Sequence, residues 1–98
     1  MEQYEYDLEE DLEIKEPSKY KVLLLNDDYS TMDFVIDVLI KVFRKTIDEA
    51  SSIMLEVHNN GKALCGIYSK EIAITKITQV KTMARSEGFP LKASLEEE

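Results

Sequence analysis

Hydrophobic positions are sparse over residues 1–18 and then recur with strand-like and helix-like periods to the end of the chain. Tyr20, Val22 and Leu24 alternate with Lys21, Leu23 and Leu25, a run of β-formers that predicts a strand buried on both sides toward its end. Asn26-Asp27-Asp28 stops it with turn-forming residues. Ser30 stands where an N-cap is needed, with Asp33 three residues on, so a helix is expected to start there. Phe34, Val35, Val38, Leu39 and Val42 give that helix one apolar face, and Ile36, Ile40 and Phe43 a second. Asp37 and Lys41 mark the strip left to water, and Arg44-Lys45 set positive charge in the last turn, where the helix dipole favours it.

Thr46 and Glu49 spell a T-x-x-E capping box, predicting a second helix with Ile47, Ala50, Ile53, Met54 and Val57 facing inward. Asn59-Asn60-Gly61 reads as its C-cap and turn. Lys62 to Tyr68 predicts a second strand, with Gly66 marking a bulge or a close backbone approach. Ser69 is the expected cap of a third helix, on which Ala73, Ile77, Val80 and Ala84 keep helical spacing until Gly88. After Pro90, the alternation of Leu91, Ala93 and Leu95 predicts a short final strand. The order is β-α-α-β-α-β, an α+β fold with a three-stranded antiparallel sheet covered on one face by three helices.

Charge divides the chain in two. The whole carries 12 basic and 20 acidic residues, a net charge of −8. Glu2, Glu5, Asp7, Glu9, Glu10, Asp11, Glu13 and Glu16 against Lys15 alone leave −7 in the first 16 residues, whereas residues 17–95 come to +2. The expected organisation is a disordered, solvated acidic extension over 1–18, one domain over 19–95, and an acidic tip of three glutamates at 96–98. A body of about 80 residues buries only about 60% of its chain surface, enough for a small core but not a deep catalytic cavity. With a net +2 and no basic stripe, nucleic acid is not an expected partner. No apolar run approaches the length of about 20 residues that a bilayer requires, so no membrane is expected either. The single cysteine, Cys65, suits a reducing cytosol, so a cytoplasmic protein without a multi-cysteine metal site is the expectation.

The informative stretch is the end of the first strand. Side chains two apart on a strand share a face, so Asn26 and Asp28 would point one way and Asp27 the other. Three polar acceptors just before a helix cap suit a group with several N–H donors, or a cation; the plain alternative is turn chemistry alone. His58, the sole histidine, follows Met54 at i+4 on one helix face, where it is either a functional acceptor or an ordinary exposed side chain. A lone histidine without a cysteine partner falls short of a zinc site, and no Gly-rich phosphate loop accompanies Asp27 and Asp28. Cys65, mid-strand, reads as a small buried hydrophobe. Met32, Met54 and Leu91 are apolar residues near these element ends, fit either for core filling or for an adaptable binding surface.

The run from Tyr20 through Asn26-Asp27-Asp28-Tyr29-Ser30-Thr31-Met32-Asp33 to Val35 resembles the signature of the ClpS adaptor family. Met54-Leu55-Glu56-Val57-His58, Gly61-Lys62-Ala63 with Cys65-Gly66, and Phe89-Pro90-Leu91 carry the resemblance across residues 19–95. It implies an N-recognin of the bacterial N-end rule, which binds proteins beginning with Phe, Leu, Tyr or Trp and hands them to the ClpA unfoldase of the ClpAP protease. It also implies a non-enzymatic adaptor, expected as a monomer without metal or cofactor, while the β-α-α-β-α-β outline itself is similar to the C-terminal domain of the ribosomal stalk protein. On this resemblance Asn26, Asp28 and His58 hold the substrate's α-amino group, with Asp27 adding negative charge. Ser30, Met32, Val35, Met54 and Leu91 line the pocket for the first side chain, Met32 acting as a gate against β-branched residues. Glu71 and Lys76 match positions that meet the N-terminal domain of ClpA, and the acidic leader would be engaged by the unfoldase channel. Many relatives have Thr-Pro where this chain has Ser30-Thr31, which leaves the first helical turn less preorganised.

The chemistry agrees with that implication. An α-ammonium offers three N–H donors, and the Asn26 carbonyl, the Asp28 carboxylate and a neutral His58 nitrogen offer three acceptors. Bonds to charged groups contribute about 1.5–3 kcal/mol each, and a buried Leu or Phe side chain a similar amount. After association costs, the surplus corresponds to roughly micromolar affinity. The competing reading is an interaction module of ribosomal-stalk type with the same outline and no peptide pocket.

Overall fold

The structure, a computed structural model, describes residues 18–98. The leader expected over residues 1–18 therefore lies, up to Pro17, outside the described residues. The elements run β1 (Tyr20–Leu25), α1 (Met32–Lys41), α2 (Ile47–Asn60), β2 (Lys62–Tyr68), α3 (Lys70–Glu87) and β3 (Lys92–Glu97). The expected β-α-α-β-α-β order is the observed one. The strands form one sheet in the order β2-β1-β3, with β1 central and antiparallel to both neighbours.

Val22 and Leu24, both fully buried, turn one face of β1 toward the helices, joined there by Ala63 and Cys65 of β2. Phe34, Val38 and Leu39 of α1, Ala50, Met54 and Val57 of α2, and Ala73, Val80 and Ala84 of α3 complete that core. Each large aliphatic side chain removed from water there contributes about 1.5–3 kcal/mol. On the opposite sheet face Leu23 is 8% exposed, and Lys62 and Glu96 reach toward each other from the two outer strands (3.8 Å). The ring of Phe34 packs on that of Phe89 at 4.8 Å, tying the first turn of α1 to the loop that leads into β3.

Several local expectations change. Thr31, not Ser30, caps α1: its Oγ1 accepts from the Phe34 N–H (3.1 Å). The reason is Asp27, whose Oδ1 already accepts from the N–H groups of Tyr29 (2.8 Å) and Ser30 (2.6 Å), so the turn extends through Ser30 and delays the helix by one residue. Helix α1 stops at Lys41, and Arg44 lies beyond it in the left-handed region (φ +58) rather than in its last turn. The capping box of Thr46 and Glu49 is present with both bonds, yet Ile47 is 68% exposed rather than inward. As the first residue of α2, Ile47 projects its side chain back past the helix start and beyond the layer. Ser69 stands at the N-cap of α3 but makes no side-chain capping bond.

The irregularity in β2 falls at Cys65. Val22 pairs with Gly66 and Leu23 with Leu64, so Cys65 is the extra residue of a bulge, and the hydroxyl of Tyr68 fills the space where a Gly66 side chain would start. At the other edge β3 takes in Glu96 and Glu97, two of the three glutamates of the expected acidic tip, and the Glu98 N–H donates to the Lys19 carbonyl (2.9 Å).

Candidate functional site

Where β1 ends, the backbone does not simply leave the sheet. The Asn26 N–H donates to the Gly61 carbonyl (2.8 Å), bolting the strand end to the C-cap of α2. Gly61 can serve there because it sits at φ +89, a left-handed conformation that closes the helix on Val57 and is strained for any residue with a Cβ. This link sets the Asn26–Ser30 turn opposite the last turn of α2. The first turn of α1 supplies the third wall.

Between these walls lies a cleft of about 400 Å³, bordered by Asn26, Asp27, Asp28, Ser30, Met32, Val35, Met54 and His58. All of the residues expected to hold an amine, and four of the five expected to line an apolar pocket, thus meet in one place. Tyr29, Thr31 and Val57 border it as well, without having been singled out. Val57 was legible only as core, yet its spacing with Met54 and His58 puts all three on one helix face.

The cleft has an apolar floor and a polar rim. Val35, Met54 and Val57 are nearly buried, Met32 is half exposed at the mouth, and His58 and Asp28 are open to solvent. Within the rim, Asp27 Oδ2 and Ser30 Oγ are buried without a hydrogen-bond partner among the described residues. Burial pushes the Asp27 carboxyl up, but the N–H groups of Ser30 and Tyr29, helped by the nearby Ser30 hydroxyl, outweigh it and hold the group below the ordinary aspartate range. Asp27 is therefore an anion whose one oxygen fixes the turn and whose other is unpaired.

Volume does not single this cleft out. The groove between α1 and α3 is larger, about 690 Å³, but of its charged residues Asp37 is already paired with Lys41 (3.1 Å). Unpaired buried oxygens, a mobile-stemmed methionine at the mouth and a histidine opposite occur together only in the smaller cleft among the described concavities. Among the described residues no group of three His, Cys, Asp or Glu side chains is placed to hold a metal ion, and no helix is long and apolar enough to cross a membrane.

Leu91 is not brought into the cleft. It is 4% exposed, and it borders a separate hollow between α3 and the start of β3. The register of β1 and β3 ends with Leu25 opposite Lys92, so Leu91 lies just before that strand. Glu71 and Lys76 do not border the cleft either. Glu71 is exposed in the first turn of α3, whereas the Lys76 ammonium donates to the Val42 carbonyl (2.7 Å) and lies 5.8 Å from the centre of the Tyr68 ring.

Comparison with known proteins gives this arrangement a lineage. Residues 15–94 match the family described as ATP-dependent Clp protease adaptor protein ClpS. The chain belongs to the ClpS family. An ATP-dependent Clp protease adapter protein ClpS of Wolinella succinogenes is 53% identical over 94 residues, spanning 96% of this chain and 92% of that protein. Another from Oleidesulfovibrio alaskensis is 56% identical over 85 residues, spanning 87% and 82%. The fold superposes on Agrobacterium tumefaciens ClpS2 bound to L-phenylalaninamide with a TM-score of 0.81 at 39% identity, covering 84% of this chain and 99% of that one. ClpS proteins are adaptors rather than catalysts, and the interaction module of ribosomal-stalk type, which shares only the outline, gives way to this family.

Proposed function

We propose that the cleft between β1, α1 and α2 binds the free α-amino group and the large hydrophobic first residue of N-degron proteins. Asn26, Asp28 and His58 receive the three N–H donors of the ammonium, and Asp27 adds a fixed negative charge beside them. Met32, Val35, Met54 and Val57 surround the side chain, with the Ser30 hydroxyl at the rim. The observation that carries this reading is that Asn26, Asp28 and His58 rim the same cleft whose floor is Val35, Met54 and Val57, with the anionic Asp27 beside them. The relative bound to L-phenylalaninamide supports the same chemistry, since that molecule joins a free α-amine to a benzyl side chain.

The bound protein is then delivered to a ClpA-type unfoldase for degradation in the cytoplasm. The adaptor acts as a monomer, Glu71 and Lys76 contact the unfoldase N-terminal domain, and the acidic leader assists transfer. Lys76 is already held by Val42, so Glu71 is the freer of the two contacts.

Fluorescence anisotropy on peptides that differ only in their first residue tests the recognition step. Phe, Leu, Tyr and Trp should bind, and Ala, Glu and the β-branched Val should bind at least tenfold more weakly. Affinity independent of the first residue contradicts the reading.

A further inference from the structure

A second concavity, about 490 Å³, lies between α3 and the start of β3. Its apolar floor includes Ile77, Phe89 and Leu91, and its rim carries Lys81, Arg85 and Lys92 without a single acid. Among the described residues none of these three cations enters an ion pair. Lys81 and Arg85 are one helical turn apart on α3, so both charges overhang the same side of the groove, and Lys92 closes it from β3. The body as a whole is only +2, so this concentration of like charge is local.

We propose that this groove is the intramolecular docking site of the chain's own acidic leader, residues 1–16. The leader has the complementary charge, −7, and it intersperses its acids with Tyr4, Tyr6, Leu8, Leu12 and Ile14, side chains suited to an apolar floor. The groove is within reach. The leader joins the body at Lys19, whose carbonyl is held by the Glu98 N–H at the far end of β3. From there to Lys92 is the length of β3, roughly 17–20 Å at about 3.3 Å per residue. Seventeen residues can extend to about 55 Å, so the leader covers the distance with most of its length left to lie along the floor. Docking in this way parks the leader on Leu91 and Lys92, directly behind the amine-binding turn, and does not depend on which ligand the first cleft takes.

Paramagnetic relaxation NMR on the full chain tests this. A nitroxide attached through Gln3→Cys reports on the leader alone, because Cys65 is buried and its thiol is held neutral. At low ionic strength the amides of Lys81, Arg85 and Lys92 should lose intensity selectively. The loss should fade in 0.5 M salt and disappear in Lys81→Glu/Arg85→Glu, whose substitutions are on the surface. Uniform weak broadening, broadening centred elsewhere, or broadening untouched by charge reversal would overturn the proposal. Mixing labelled chains with isotope-enriched unlabelled ones is the remaining arm: broadening in the mixture would place the leader on a second copy and also overturn it. Peptide binding at the first cleft, measured on the same samples, separates failure here from failure of the recognition reading.

Discussion

Two regions a few residues apart along β1 obey opposite rules. At Val22 and Leu24 the strand is fully buried among apolar side chains, and no polar or charged residue is buried within that core among the described residues. Even its cysteine is inert: burial raises the Cys65 thiol to about 12, against a slight opposing effect of the Leu24 backbone N–H. Just past Leu25 the chain holds a carboxylate whose Oδ2 has no hydrogen-bond partner among the described residues, at the rim of a cleft. The first region is satisfied and stabilises the fold. The second is left unsatisfied by the fold itself, as expected where a ligand completes the bonding.

If that division holds, substitutions should separate cleanly. The largest effect is expected for Leu24→Ala, which opens a cavity in the core and should cost about 2–5 kcal/mol in urea denaturation, while the folded fraction keeps its peptide affinity. Asp28→Ala should do the reverse. It removes a charged acceptor from an exposed position, so affinity for a Phe-initiated peptide should fall by on the order of 10- to 100-fold, with stability within about 0.5 kcal/mol of the parent. A loss of stability comparable to that of Leu24→Ala would erase the distinction.

A smaller test lies at the boundary itself. Thr31→Ala removes the cap of α1 and should destabilise by about 1 kcal/mol. Ser30→Ala removes a hydroxyl that does not cap the helix and should cost less stability than Thr31→Ala. If Ser30→Ala proved the more damaging to folding, the assignment of the cap would be wrong.

The smallest effects concern pH. The raised Cys65 pKa means that its contribution to stability is complete below 9.0 and is lost as pH rises toward about 12. Stability should therefore fall more steeply above pH 9 in the parent than in Cys65→Ala, and the native thiol should resist labelling at pH 8. Asp27 runs the opposite way. Its pKa is lowered from 3.8, so its contribution is present above that value and is lost as pH falls through the lower native one.

Most of this organisation can be read along the chain because it is written in contiguous runs. The Tyr20–Leu25 alternation, the Thr46–Glu49 box and the Gly61 and Gly88 caps each act through neighbours, so the elements follow directly. The Asn26–Ser30 turn is equally local. What escaped was set by competition or by distance. Ser30 and Thr31 are both competent caps, and only the Asp27 bonds to the turn decide between them. Ile47 fits the apolar spacing, but its place at the first helical position puts it over solvent. Val57 doubles as core and cleft wall, a role visible only once α2 faces the β1 turn. Leu91 fits the pocket pattern in sequence but lines the hollow between α3 and the start of β3 instead of the cleft. The basic groove of Lys81, Arg85 and Lys92 unites two elements, so no single run of sequence announces it.

The central claim is that the cleft recognises an α-ammonium together with the side chain beside it. Isothermal titration of one Phe-initiated peptide in two forms, with a free amine and with an acetylated one, tests this most directly. Acetylation removes the charge and two of the three donors while leaving the side chain intact. The account predicts roughly micromolar binding of the free peptide and no measurable binding of the acetylated one. Equal affinity for both would contradict it.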